Sequence, residues 1–119
     1  MHKEAFREKK RGNRETCGLL VIDENISITF LFLRNLSTKP GNYKMSLENL
    51  EKIRKKIKLH GKKIFGTFHS HPITEAIPGK SDIDGAYRNM LIYDVIGETA
   101  RLWAIKRKKG GKSLQSYLL

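Results

Sequence analysis

The segment Ile64-Phe65-Gly66-Thr67-Phe68-His69-Ser70-His71-Pro72 constrains this chain more than any other. Residues 64–71 are apolar enough and rich enough in aromatic and β-branched side chains to read as a strand. On a strand, side chains at i and i+2 share a face, so His69 and His71 converge on one point while Ser70 points away. Convergent neutral imidazoles are good zinc ligands. The loop that follows, through Ala76-Ile77-Pro78-Gly79-Lys80-Ser81, ends in aspartates, and a nearby carboxylate favours a metal further.

Other short apolar runs bounded by turn residues set the coarse map. Thr16 to Ile22 reads as a buried strand, Asp23-Glu24-Asn25 as a turn, and Ile26 to Leu33 as its hairpin partner. Pro40-Gly41-Asn42 marks a loop. A helix is expected from Ser46, an N-cap residue, with Glu48 favouring its N-terminus, Leu47, Leu50, Ile53 and Ile57 at near-helical spacing, and His60-Gly61 at its end. Its basic residues, Lys52, Arg54, Lys55, Lys56 and Lys58, read as the solvated face opposite the apolar stripe. At most a short helix is expected within residues 3–12. Asp82 to Met90 reads as another, Leu91 to Ile96 and Leu102 to Ile105 as strands, and Ser113 to Leu118 as an edge strand after a Lys106 to Lys112 turn.

With 119 residues the chain has length for one domain, taken as residues 1–119, and no internal repeat divides it. An apolar content of 39% supports a packed core despite 30% charged residues. The formal net charge of +12 favours acidic partners or nucleic acid and says nothing about the fold. The single cysteine, Cys17, excludes an internal disulfide and fits a reducing interior. No apolar run approaches the ~18–20 residues of a membrane span, and the N-terminus lacks a signal core, so a cytoplasmic protein without membrane contact is expected.

Several metal and nucleophile patterns are missing. There is no His-Glu-x-x-His helix, and a deaminase-type zinc site needs a Cys-x-x-Cys pair that one cysteine cannot supply. Cys17 sits inside an apolar run, where it reads as a small hydrophobe rather than a nucleophile.

The remaining pattern resembles the metalloprotease motif of JAMM (MPN-type) domains. His69-Ser70-His71-Pro72 fits its His-x-His-Pro, and Asp82-Ile83 stands at the spacing of the motif aspartate. Glu15-Thr16-Cys17-Gly18-Leu19-Leu20 resembles the strand that carries the family's early glutamate, and Asn42 to Ser46 with the following helix occupy its middle segment. The resemblance spans roughly residues 13–105. It implies a mixed α+β fold, a curved mixed β-sheet flanked by helices in the MPN/JAMM (cytidine-deaminase-like) architecture, with the site at the ends of the central strands.

The same resemblance implies a zinc-dependent isopeptidase or peptidase. His69, His71 and Asp82 would hold zinc and leave a fourth position for water, and Glu15 would act as general base. On its own Glu15 reads as a surface carboxylate. The implied substrate is the C-terminal linkage of a ubiquitin-like or sulfur-carrier modifier or its conjugates. One position departs from the pattern: Gly79 stands where the family has the serine that helps stabilise the oxyanion. Using Ser81 instead, with Asp84 as ligand, requires a two-residue insertion after His71, so the ungapped alignment with Asp82 is preferred. Backbone N–H groups, Lys80 or Ser81 are the alternative donors. Two other functions rank below: a catalytically weak MPN-like scaffold or interaction protein, and a nucleic-acid-binding protein using Lys106 to Lys112.

Overall fold

The structure, a computed structural model, describes residues 2–10, 15–37, 43–72, 76–78, 89–108 and 111–118. In chain order these form α1 (His2–Lys10), β1 (Cys17–Ile22), β2 (Ile28–Leu33), α2 (Leu47–Leu59), β3 (Lys63–His71), β4 (Asn89–Asp94), β5 (Thr99–Lys108) and β6 (Gly111–Leu118). All six strands join one sheet in the order β2-β1-β3-β4-β5-β6. Only β3 and β4 run parallel; the other neighbours are antiparallel, which makes the sheet mixed, as expected.

Local chemistry explains the elements. At the β1–β2 turn the Asp23 carboxylate accepts from the Asn25 and Ser27 amides at 2.9 and 3.0 Å, and Ile26 takes φ 61°. That positive φ removes Ile26 from the strand, so β2 starts two residues later than its composition suggests. Helix α2 begins as expected: Ser46 Oγ accepts from the Asn49 N–H at 3.2 Å. It ends at His60, whose Nδ1 lies 2.8 Å from the Lys56 carbonyl, and at Gly61, which takes the left-handed φ of 70°. Leu50, Ile53 and Ile57 are partly covered, whereas Lys52, Arg54, Lys55, Lys56 and Lys58 are exposed, so the basic residues do form the wet face.

Strand boundaries in the C-terminal part also differ from the expectation, with β5 starting at Thr99 and β6 at Gly111. Asn89 and Met90 belong to β4 rather than to a helix, and the remainder of that expected helix lies outside the described residues. Strand β4 stops at Asp94 because its Oδ1 accepts from the Gly97 amide at 2.9 Å and folds residues 95–98 into the turn to β5. The basic tract is also less of a turn than expected, since Lys108 pairs with Gly111 and Arg107 with Lys112.

The core lies against both faces of the central strands. Phe68 packs with Leu20 and Leu91. Ala5 of α1 closes over Tyr93 and Val95. Ala76 packs with Met90 and Ile92, and Trp103 Nε1 donates to the Ala76 carbonyl at 2.9 Å, which fastens Ala76 to the sheet. Gly18 permits the close approach of β1 to its neighbours: a Cβ there would collide with the Leu31 carbonyl and come within 2.6 Å of the Phe68 ring. Among the described residues no helix is long and apolar enough to cross a membrane.

Candidate metal centre

The C-terminal half of β3 is buried on both faces between β1 and β4. Strand register puts Cys17 on one side of His69 and Ile92 on the other, so the ring stands in a dry slot. His69 is fully buried and His71 is 8% exposed. Their side chains share one face, as the two-residue spacing requires, and the two Nε2 atoms are 3.1 Å apart.

Glu15 reaches the same point from the residue pair that precedes β1. Its carboxylate is 2% exposed, and Oε1 lies 3.8 Å from His69 Nε2. One donor atom from each of Glu15, His69 and His71 lies within 4.8 Å of the others. This is no longer the surface carboxylate that Glu15 suggests when read alone.

Backbone ties hold the three residues together. Ser70 points to the opposite side from the histidines, where its Oγ accepts from the Thr16 N–H at 2.8 Å, and its own N–H donates to the Thr16 carbonyl at 2.9 Å. Asn35, buried just past β2, donates from Nδ2 to the Glu15 carbonyl at 2.9 Å. Its Oδ1 accepts from the Ser37 and Lys44 amides at 2.9 and 3.1 Å. Next to Lys44, the Tyr43 ring stacks on His69, with centroids 4.6 Å apart and planes at 23°. Asn35 and Tyr43 escape a reading of the sequence: a polar stretch carries no period, and only the aromatic character of Tyr43 stands out in it.

The donor set fits a zinc ion. Two imidazole nitrogens on one tetrahedral ion, each at about 2.0–2.1 Å, stand roughly 3.3–3.4 Å from each other, close to the separation of the two Nε2 atoms. Two imidazole nitrogens leave positions on such an ion for an oxygen ligand and a water, and the Glu15 carboxylate lies beside them. Asp82, Asp84, Ser81, Lys80 and Gly79 lie outside the described residues. Cys17 is fully buried with Sγ 3.8 Å from the Leu33 carbonyl, in keeping with a packing role. A cavity of about 450 Å³ lined by Arg54, Ile57, Lys58, Lys62, Lys63 and Ile64 opens at the other end of β3, away from the histidines.

The described residues thus bring together a buried imidazole pair and a carboxylate at the end of a central strand of a mixed sheet. The chain belongs to the family described as prokaryotic homologs of the JAB domain, which matches residues 2–108. It is 28% identical over 96 residues to a Pyrococcus furiosus protein named desampylase, an alignment that covers 79% of this chain and 69% of that protein. The solution structure of protein DSY2949 from Desulfitobacterium hafniense superposes with a TM-score of 0.67 at 24% identity, over 97% of this chain and 84% of that one, and so shares the fold.

Proposed function

We propose that this protein is a zinc-dependent hydrolase that cleaves the C-terminal linkage of a ubiquitin-like or sulfur-carrier modifier. The observation that carries the reading is the meeting of His69 and His71 Nε2 at 3.1 Å with the Glu15 carboxylate beside them. Membership of the JAB-domain family and the likeness to a protein named desampylase support the substrate class.

His69 and His71 would hold the zinc together with Asp82, which stands at the motif spacing in the sequence. When bound, the ion supplies Lewis acidity and lowers the pKa of a water toward neutrality. Glu15 takes a proton from the attacking water and returns it to the departing amine as the water oxygen bonds to the carbonyl carbon and the C–N bond breaks. Burial of the carboxylate and both imidazoles keeps bulk water from screening these charges. Lys80, Ser81 or a backbone N–H would steady the oxyanion in place of the serine that Gly79 replaces.

The test is metal analysis of the purified protein together with a cleavage assay on conjugates of small β-grasp modifiers ending in Gly-Gly. About one zinc per chain and release of the modifier are expected. A metal-free, inert protein after zinc loading would contradict the proposal.

A further inference from the structure

We propose that Asn35 and Tyr43 are positioning residues that set the ring plane of His69 and the backbone of Glu15 together; this rests on the reading of those two residues as part of a metal site. The χ2 torsion of histidine is broad and roughly two-fold, so a strand alone does not determine where Nε2 points. A stacked ring fixes the plane of the imidazole, and the contact with His71 selects the edge on which Nε2 lies. Tyr43 lies nearly parallel to His69 at 4.6 Å and leaves the imidazole edge directed at His71.

Tyr43 is held in turn by its neighbour. The Lys44 N–H donates to Asn35 Oδ1 at 3.1 Å, and the Lys44 carbonyl accepts from the Leu36 amide at 2.8 Å. The Asn35 oxygen also takes the Ser37 amide, and its Nδ2 donates to the Glu15 carbonyl. Both lone pairs of the amide oxygen and one amide hydrogen are used, an arrangement for which asparagine has the required donor and aspartate has not. One buried side chain therefore joins the segment before β1 to the segment before α2, and so joins the carboxylate to the ring that stacks on its imidazole neighbour.

Outer groups that orient metal ligands typically change affinity or activity by about 10–100-fold when removed. The experiment compares wild type with Asn35→Asp, Tyr43→Ala and Tyr43→Phe. Zinc affinity is read by chelator competition, kcat and KM at saturating zinc, and the His69 ring resonances by NMR in metal-free protein. Tyr43→Ala and Asn35→Asp are expected to weaken zinc binding by about 10–100-fold and to lower kcat more than KM rises. Both should also shift the His69 ring signals, and Tyr43→Phe, which keeps the stacking ring, should restore wild-type behaviour in every readout. Folded Tyr43→Ala and Asn35→Asp proteins with wild-type zinc affinity and wild-type His69 signals would overturn the proposal, as would a lowered melting temperature with those readouts unmoved. A wild-type protein that takes up no zinc defeats the metal reading instead, and the metal-free His69 signals still decide the positioning roles.

Discussion

The Thr16 amide donates to Ser70 Oγ across 2.8 Å of buried space, so the residue between the two histidines fastens the backbone beside Glu15. The His-x-His spacing thus serves both faces of β3: imidazoles on one side, a brace for the backbone next to Glu15 on the other. Ser70→Ala leaves a buried N–H without that acceptor, which costs about 1–3 kcal/mol. Urea unfolding checks it, and a change below about 0.5 kcal/mol would show that another group takes over.

The ligand assignment separates by mutation. His69→Ala and His71→Ala should each empty the zinc site, as read by metal content after dialysis. Asp82→Asn should lose metal while Asp84→Asn keeps it; the reverse pattern would show that the motif carries a two-residue insertion here.

Gly79 makes a prediction about rate alone. A donor aimed at a developing oxyanion is worth about 10²–10³ in kcat in a protease of another class. Gly79→Ser should raise turnover with zinc affinity unchanged, while Gly79→Ala does not. Equal loss of thermal stability in both variants would instead point to a backbone conformation that only glycine adopts.

At high pH the stability should report on Tyr93. Burial, followed by the Glu98 and Asp94 carboxylates, raises its hydroxyl above the ordinary value. Because the folded pKa lies above the unfolded one, its contribution is intact below about pH 10 and is lost as pH rises through the folded value. Stability of the wild type should therefore fall more steeply above about pH 10 than that of Tyr93→Phe. Parallel curves for the two proteins as pH rises above about 10 would contradict this.

Much of this architecture is legible in the residues themselves, and the parts that are not share a physical cause. The His69–His71 convergence follows from the two-residue period of a strand, and the start of α2 from the hydroxyl of Ser46. The hairpin partners around Asp23 are adjacent in sequence, so local chemistry suffices. Long-range ties are different. Nothing near Asn35 states that its amide will meet Glu15, 20 residues earlier, or that Tyr43 will lie on His69. Likewise Met90 reads as the end of a helix until the parallel pairing of β3 and β4 places it beside Thr67. Burial of Glu15 depends on the same tertiary assembly, which is why the residue has meaning in the sequence only through the motif it shares with a family.

The most direct test of the central claim is the turnover of zinc-loaded Glu15→Gln on a Gly-Gly-terminated modifier conjugate, measured beside the wild type at equal metal content. General acid–base catalysis is worth about 10²–10⁴ in rate, so the variant should keep its zinc and its fold and lose turnover by that factor. Undiminished cleavage, with zinc retained, would contradict the assignment of Glu15 and with it the chemistry proposed for this site.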